Sequence, residues 1–301
     1  MTAQFNLTPI NALGDDCRVL NRIPGTKLIA ELGIGVHDLD IALNAPIGDE
    51  RSFCLLDCET TGFSANTDTI IELGMLKMLY SPSAKRITSI VKKLCFFEES
   101  PTPLKPIITE VTGLTDAMIK GHRIDDVAVA DFISGTDFIV AHNALFDRSF
   151  FDARFPQLNN LVWGCSAKGG DIKWRDFGFS SSALEFINQN LNFFYDAHRA
   201  SVDCMATVWP LYVVDGAFAQ LLDSISTPRY VVDAINAPYE VKEQLKALGM
   251  SWNPDRKCWQ ATVTGDDALR STLDSLGSIY DTIGMRPYVN EIPQNNRYRG
   301  G

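Results

Sequence analysis

The sequence lacks four features that would assign it to a familiar class of protein. Its seven cysteines include no C-x-x-C pair, which argues against a zinc site or a disulfide framework. No apolar run is as long as a membrane span, and the first residues lack the basic-then-apolar pattern of a secretory signal. Gly33 and Gly35 belong to no G-x-G-x-x-G pattern, so a dinucleotide site is not indicated. We therefore expect a cytoplasmic protein with no membrane partner.

Basic residues are also in short supply. The chain has 27 Lys and Arg against 37 Asp and Glu, a formal charge of −10. Tight, sequence-independent binding to long duplex DNA relies on many phosphate contacts, and this charge argues against it. The charge leaves open an enzyme whose bound ions neutralise its acids and whose local basic strip holds a short single strand.

Length and periodicity divide the chain into five segments. Its 301 residues are enough for two domains. Three predicted strands followed by alternating helices and strands indicate an α/β domain, in which helices flank a mixed sheet. The predicted segments are an N-terminal extension (1–50, with 38–43 compatible with a helical turn), the main domain (51–214), a linker (215–228), a small α+β domain (229–277) and a flexible tail (278–301).

Two acids stand near the end of an apolar run, Ser52 to Gly62, that predicts a buried strand. Strand side chains alternate between faces, so Asp57 and Glu59 share one face. Burying two neighbouring carboxylates is costly unless a cation offsets their charge, and hard oxygen ligands favour Mg²⁺ or Mn²⁺. Taken alone, the pair is more simply a strand end with two solvated acids.

Two later acids and a histidine can complete such a site. Asp147 follows a predicted buried strand at 137–141, and Asp203 begins a predicted helix. His198 precedes Asp203 by five residues, and an imidazole suits a general base near neutral pH. Each residue alone has a simpler interpretation, with Asp147 as an acid favoured by a helix dipole and His198 as a helix cap.

Three motifs occur in the order of a known family: Asp57-x-Glu59-Thr-Thr-Gly, His142-Asn143-x-x-Phe-Asp147 and His198-x-x-x-x-Asp203. Residues 51–211 thereby resemble the DEDDh, or DnaQ-like, 3′–5′ exonucleases of the ribonuclease H-like fold. The stretches at 68–74 (DTIIELG) and 112–115 (TGLT) agree with this resemblance. It implies a mixed five-stranded sheet flanked by helices.

The resemblance also implies a mechanism. Two divalent cations, Mg²⁺ or Mn²⁺, would promote hydrolysis of phosphodiester bonds from the 3′ end and release nucleoside monophosphates. Asp57 would bridge both ions, Glu59 and Asp203 would hold the ion that activates water, and Asp147 would hold the second ion. His198 would accept the proton of the water.

Substrate contacts are assigned on the same basis. Thr60 and Phe63 stand where members of the family contact the terminal nucleotide, and Phe63 suits stacking on a base. His142 and Asn143, in the second motif, are also assigned to substrate binding. Their simpler interpretation is that they satisfy backbone groups of a loop.

The small C-terminal domain resembles a module of unknown function that occurs attached to nucleic-acid enzymes. Its Trp-Asn…Lys-x-Trp pattern is similar to that of the HARP module of annealing helicases. Trp252 and Trp259 are most simply the core of a domain too small to bury much else. The functional interpretation is a module in which Trp252, Arg256, Lys257 and Trp259 contact a single strand.

The predicted function is therefore a 3′–5′ exonuclease on single-stranded or frayed ends of DNA, with a DNA polymerase or repair complex as a candidate partner. Exoribonuclease activity on short RNA, or a non-catalytic nucleic-acid-binding protein, are the alternatives. The complete set of four acids and a histidine favours an enzyme, because a non-catalytic copy has no need to retain it. Residues 165–174 look more like stand-alone bacterial members of the family than the polymerase subunit, which leaves the polymerase partner open.

Overall fold

The computed structural model describes residues 32–167, 169–195, 197–279 and 287–299. The chain forms two units, one comprising residues up to Leu222 and from Tyr298 onward, the other Asp223–Arg297. The boundary falls inside the helix Ala217–Ser226, within the segment predicted as a linker. Residues 1–31 of the predicted N-terminal extension lie outside the described residues.

The first unit is built on a mixed sheet of six strands. The strands are β1 Gly35–Ala42, β2 Arg51–Thr60, β3 Ile70–Ser81, β4 Arg86–Phe97, β5 Ile139–Ala141 and β6 Trp163–Cys165. They lie in the order β1-β4-β3-β2-β5-β6, and the first four pair antiparallel while β2, β5 and β6 pair in parallel. The predicted mixed α/β sheet is confirmed, but it has six strands rather than five.

The extra strand, β1, comes from the segment predicted as an extension with a helical turn at 38–43. It lies antiparallel to β4, with Val36 opposite Leu94 and Ile41 opposite Ile90. Exposed and less exposed residues alternate along it, as expected for a strand at the edge of a sheet. The helical turn is therefore wrong, because the alternation has a period of two.

Helices pack on both faces of this sheet. In chain order they are α1 Pro106–Thr112, α2 Asp116–Ile119, α3 Asp126–Ile133, α4 Ala144–Arg154, α5 Leu184–Asn190, α6 Ala200–Val213 and α7 Ala217–Ser226. On one face, Phe150 and Phe151 of α4 join Cys54 and Cys58 of β2 in a buried core, where the two thiols act as small packing residues. Helix α6 packs on β2, β3 and β4.

A buried amide allows α6 to continue past a proline. Pro210 lies inside the helix and has no N–H to donate to the carbonyl of Ala206. The Nδ2 of Asn188, a fully buried residue in α5, donates to that carbonyl at 3.0 Å instead. The predicted helix therefore runs on to Val213, and the same hydrogen bond ties α5 to α6.

None of the helices in the described ranges is by itself long and apolar enough to cross a membrane. Taken together, α6 and α7 meet the requirements of length and composition, with a bend of 100° between them.

The second unit has its own four-stranded sheet and core. Its strands are β7 Arg229–Ala234, β8 Ser251–Asn253, β9 Cys258–Thr264 and β10 Tyr288–Ile292, in the order β10-β7-β9-β8. Its helices are α8 Lys242–Ala247 and α9 Asp266–Ile279. Its core contains Val232, Ala234, Leu245, Met250 and Leu276.

The prediction of a flexible tail after residue 277 is wrong where the structure describes that segment. β10 adds an antiparallel strand to β7, with Val289 opposite Val232. Arg297 is buried, and its Nη1 donates to the carbonyls of Ser224 and Ile225 at 2.9 Å each. The polar composition was misleading, because an edge strand and a buried guanidinium need few apolar residues.

The chain then returns to the first unit. The hydroxyl of Tyr298 donates to Asp171 Oδ2 at 2.9 Å, and its ring packs against the core cluster beside α4. The second unit is therefore an insertion between two parts of the first, rather than an appendage at its end.

Candidate active site

Three carboxylates converge at the end of β2. Asp57 and Glu59 lie two residues apart on this strand, and Asp203 comes from the first turn of α6. One oxygen atom from each lies within 4.8 Å of the others. The strand face predicted to carry Asp57 and Glu59 thus meets the first turn of α6, which carries the third acid, Asp203.

Close backbone contact brings α6 to this position. A Cβ atom on Gly74 of β3 would lie 2.4 Å from the carbonyl carbon of Ala200 and 2.5 Å from the nitrogen of Ser201. The Cys204 thiol also donates to the Gly74 carbonyl at 3.3 Å. Since Gly74 lies opposite Asp57 in the β2–β3 register, the missing side chain lets the helix start directly beside the acid.

Asp147 reaches the same region from α4 on the other face of the sheet. β5 pairs with β2 only at Cys54 and Leu55, so further along β2 the Cys58 N–H has no strand partner on that side. Asp147 Oδ1 accepts a hydrogen bond from this N–H at 3.1 Å. The carboxyl is buried, and it stands outside the group of three formed by the other acids.

Burial and mutual repulsion dominate the electrostatics of these acids. Burial, followed by repulsion from Asp147 and Asp203, raises the pKa of Asp57 well above its usual range. Burial and the charge of Asp203 raise the pKa of Glu59 to about 8. Within the described ranges, no Lys or Arg forms an ion pair with Asp57, Glu59 or Asp147. The folded chain therefore brings these carboxyl groups together without a basic side chain paired with them.

Opposing effects set the pKa values of the two remaining acids, Asp147 and Asp203. Burial raises the pKa of Asp147, and the hydrogen bond from the Cys58 N–H opposes this effect. Burial also raises the pKa of Asp203 to about 6, against the hydrogen bond that its Oδ2 accepts from the Arg199 N–H at 3.0 Å. Each of these two acids keeps a backbone donor that favours its ionised form.

The carboxylate oxygen atoms of these residues are suitable ligands for a hard divalent cation. Oxygen atoms of three carboxylates close together, with a fourth nearby, are the ligand type that Mg²⁺ and Mn²⁺ prefer. A bound cation would offset the repulsion that raises the pKa values. The residues present therefore fit a divalent metal site, with Asp57, Glu59 and Asp203 at its centre.

His198 lies in the loop immediately before α6, exposed to solvent. Its backbone is in the left-handed region, with φ of 66°, an uncommon conformation for a residue other than glycine. The charge of a protonated His198 ring and the backbone N–H of His198 both lower the pKa of Asp203, against the larger effect of burial. The structure therefore places the predicted general base beside one of the three converging acids.

The two residues predicted to contact the terminal nucleotide differ in the exposure of their side chains. Phe63 is 94% exposed in the loop after β2, so its ring is free to stack on a base. The hydroxyl of Thr60 is buried and donates to the Gly62 carbonyl at 2.6 Å. The Thr60 side chain thus serves the local turn, while its substrate contact stays a prediction.

His142 and Asn143 both make local contacts in the structure. His142 Nδ1 forms a hydrogen bond with Ser166 Oγ at 2.9 Å, and burial lowers the pKa of His142 to about 4. Asn143 starts α4 with φ of 85°, and its carbonyl accepts from the Phe146 N–H at 2.9 Å. Both hold the turn that delivers Asp147, and their contact with substrate stays a prediction.

One acid beside the site was not assigned a role in the sequence. Glu72 of β3 is fully buried and lies directly opposite Glu59. Its signal was present, because it is the single charge in the apolar stretch Ile70 to Leu76. An isolated acid in a buried strand needs a partner, and here that partner is Arg199.

In the second unit, the four residues assigned to an accessory contact separate into two pairs. Trp259 is half-buried beside the core, and Trp252 is 53% exposed with its ring edge-on to Trp259 at 6.0 Å. Arg256 forms an ion pair with the buried Asp233 at 2.8 Å. Lys257 is exposed in the turn between β8 and β9. Trp259 and Arg256 thus have structural partners, whereas Trp252 and Lys257 face solvent.

Residues 54–209 match the model of the RNase T exonuclease family. The matched stretch is more than half of the chain and contains all four acids and His198. The chain therefore belongs to this exonuclease family, and the predicted resemblance is confirmed.

Among the curated relatives, PolC-type DNA polymerase III of Listeria innocua is 32% identical over 58% of this chain and 12% of its own length. The Bacillus subtilis protein of the same name is 34% identical over 62% of this chain and 13% of its own length. The chain thus corresponds to a small part of these much longer relatives.

Solved structures that resemble the chain include exonuclease X in complex with duplex DNA that has a 5′ overhang. It is 19% identical, with 57% of this chain and 98% of that chain covered and a TM-score of 0.42. A structure of exonuclease I is 14% identical, with 77% and 68% covered and a TM-score of 0.48.

Proposed function

We propose that this chain is a metal-dependent 3′–5′ exonuclease that hydrolyses DNA and releases nucleoside monophosphates. The observation that carries the proposal is the convergence of Asp57, Glu59 and Asp203 within 4.8 Å at the end of β2. Membership of the exonuclease family supplies the reaction class. A binding protein without activity would have no use for a buried, repelling group of acids.

The acids divide the work of holding cations. Asp57 would help to hold both of two divalent cations, Glu59 and Asp203 would hold one of them, and Asp147 would hold the other. When bound, a pair of Mg²⁺ or Mn²⁺ ions activates water and stabilises both the entering and the leaving oxygen of the phosphate. The hydrogen bond from the Cys58 N–H keeps Asp147 oriented toward β2.

His198 is proposed to accept the proton of the attacking water. The side chain is exposed and stands next to Asp203, so it can approach a water at the metal site from the solvent side. Phe63, almost fully exposed after β2, is proposed to stack on the terminal base. Stacking of this kind tolerates any base and suits an exonuclease that proceeds along a strand.

DNA is proposed as the substrate because the curated relatives are named DNA polymerase III. A polymerase or repair complex is proposed as partner on the same ground. In the second unit, Trp252 and Lys257 are proposed to hold a longer single strand, because they are exposed at the β8–β9 hairpin. A second weak contact would raise the effective concentration of substrate at the active site.

The test uses single-stranded DNA and RNA oligonucleotides of one sequence, labelled at either end, with Mg²⁺, Mn²⁺ or EDTA. We expect 3′-labelled DNA to release labelled mononucleotide at once and 5′-labelled DNA to give a ladder of shorter products. EDTA should abolish both signals. Faster release from RNA would correct the substrate, and immediate release from a 5′ label would contradict the polarity.

A matched control separates the proposed site from a contaminating nuclease. Asp57→Asn should release nothing under the same conditions, whereas Asp38→Asn, at an exposed acid of β1 paired with Lys92, should behave as wild type. Equal activity of Asp57→Asn and wild type would contradict the proposed site.

A further inference from the structure

Glu72 is a buried acid that the proposed mechanism does not use. It lies on β3 directly opposite Glu59, and its side chain is 0% exposed. Like charges directly opposite each other destabilise a pair of strands. The retention of a second carboxylate at this place therefore requires a compensating interaction.

That compensation comes from Arg199, the residue between His198 and the first turn of α6. Arg199 Nε donates to Glu72 Oε2 at 3.0 Å and Nη2 donates to Oε1 at 3.3 Å, a two-pronged ion pair. The guanidinium also lies over the ring of Phe97, 5.7 Å from its centre. Arg199 is thus fixed by two neighbouring strands of the sheet.

The same carboxylate reaches the backbone of the helix. Glu72 Oε2 accepts from the Ala200 N–H at 3.3 Å, one of the amide groups that the start of a helix leaves without an internal partner. Asp203 accepts from the Arg199 N–H, and Gly74 contacts the backbone of Ala200. The residue that follows His198 is therefore held by its side chain and by its own N–H.

His198 shares part of this support, because its own N–H also donates to Asp203. It is exposed, and its positive φ is a conformation that costs about 1 kcal/mol or more unless neighbouring structure holds it. The neighbouring structure on its C-terminal side is Arg199. The backbone of His198 is therefore held in part through Arg199 and its ion pair with Glu72.

We propose that Glu72 is a positioning residue, which acts through Arg199 to orient His198 toward the metal-binding acids. The inference rests on the proposed function, since it assigns a support to the proposed general base. Because Glu72 is fully buried, it acts without touching substrate. Its charge is matched by Arg199, so the pair adds little net charge to the site.

The test is a double-mutant cycle of Glu72→Gln and His198→Ala, with kcat measured on a short single strand. Glu72→Gln keeps the size of the side chain but breaks the ion pair. We expect it to lower kcat roughly 10- to 100-fold, since misplacing a catalytic group by ~1 Å can cost about 10²-fold. In the His198→Ala background the same substitution should lower kcat less than about twofold, because the group it positions is gone.

Two further variants exclude a simple charge effect and a folding defect. Glu72→Gln removes a negative charge near the acids, whereas Arg199→Gln removes a positive one. A purely electrostatic effect on Mn²⁺ affinity would therefore have opposite signs in these two variants. A positioning effect lowers kcat in both. Arg199→Lys keeps the charge that neutralises Glu72 but loses the two-pronged geometry; it should fold and lower kcat even if Glu72→Gln does not fold. Asp137→Asn breaks the ion pair with Arg51 at the far end of β2 and serves as the matched control.

The outcomes separate this inference from the proposed function. A folded Glu72→Gln variant with wild-type kcat, or an equal loss in both backgrounds, would overturn the inference alone. If Glu72→Gln does not fold, a wild-type kcat in Arg199→Lys would overturn the inference instead. A wild-type protein that releases no nucleotide would overturn the proposed function, and the positioning role of Glu72 with it.

Discussion

Buried carboxylates occur in both units of the chain, and their surroundings differ. In the second unit, Asp233 accepts from Gln260 Nε2 at 2.8 Å and forms an ion pair with Arg256 at 2.8 Å. In the first unit, Asp57 and Glu59 have no Lys or Arg ion pair within the described ranges, and the charges that act on them most strongly are those of other acids. The charge of Asp233 is compensated by Arg256, whereas Asp57 and Glu59 are repelled by neighbouring acids.

On the proposed function, this difference distinguishes a structural acid from a metal-binding one. A buried charge that lacks a partner destabilises the folded state, so it persists where an exogenous cation supplies the compensation. Glu72 extends the comparison, because it lies in the first unit but is compensated by Arg199. The presence of a basic partner therefore says more about the role of a buried acid than its distance from the site does.

The same chemical change at the two kinds of acid should have opposite effects. Asp57→Asn should lower nucleotide release by more than about 10³-fold, because metal ions stabilise the transition state by several kcal/mol. In EDTA its melting temperature should hold or rise, since a repelling charge is removed. Asp233→Asn should instead lower the melting temperature and leave hydrolysis of a dinucleotide unchanged. The comparison fails if thermal scans show both substitutions destabilising the metal-free protein.

Removal of the proposed base tests the site without changing its acids. His198→Ala should slow hydrolysis by roughly 10²–10⁴-fold, the usual effect of a general base. Mn²⁺ affinity, measured by calorimetry, should stay at the wild-type value, because the imidazole is not a proposed ligand. A weaker Mn²⁺ affinity at unchanged pH would show that His198 is a ligand and that the assignment of the base is wrong.

The uncompensated acids predict how stability depends on pH. The pKa of Asp203 is raised to about 6 and that of Glu59 to about 8 in the folded, metal-free protein. The folded state thus binds protons that the unfolded chain releases above about pH 4, so stability present at low pH is lost as the pH rises through 6 and 8.

Divalent cations should reverse this loss. At 100 times its dissociation constant, a bound ion stabilises by about 2.7 kcal/mol. Thermal scans between pH 5 and 8.5, with EDTA or Mg²⁺, measure both effects. Glu59→Gln should flatten the dependence in EDTA between pH 6 and 8, and an unchanged slope would contradict the assignment of this titration to Glu59.

The smallest effects are expected at two adjacent basic residues. Arg256→Ala leaves Asp233 without its cation and should destabilise the second unit by about 1–3 kcal/mol. Lys257→Ala should not alter unfolding but should weaken binding of a long single strand and lower the slope of its salt dependence by about 1. Equal effects of the two substitutions on strand binding, with neither altering stability, would mean that Arg256 contacts nucleic acid after all.

Much of the fold and of the site follows from sequence periodicity. The alternation along β2 placed Asp57 and Glu59 on one face, and the structure shows that face meeting Asp203. The alternation along β1 is also present in the sequence, but Gly, His and Asp make up half of the segment, so its apolar signal for a strand is weak. The signal for β10 and Arg297 is weak for the same reason, since polar residues form an edge strand and a buried contact there.

Other features depend on contacts that no local pattern reveals. The contact of Gly74 with Ala200, the ion pair of Glu72 with Arg199 and that of Arg256 with Asp233 join residues distant in sequence. Sequence alone indicates that a buried acid needs a partner, but only the packed chain shows which cation supplies it.

The return of the chain to the first unit at Tyr298 has a consequence for the order of events during synthesis. The hydrogen bond from Tyr298 to Asp171 joins residues 127 positions apart, with the whole of the second unit between them. A ribosome that adds about 5–20 residues per second needs roughly 4–15 s to make residues 223–297. The nascent first unit must therefore wait for several seconds, with this part of its core uncovered, until the second unit has emerged.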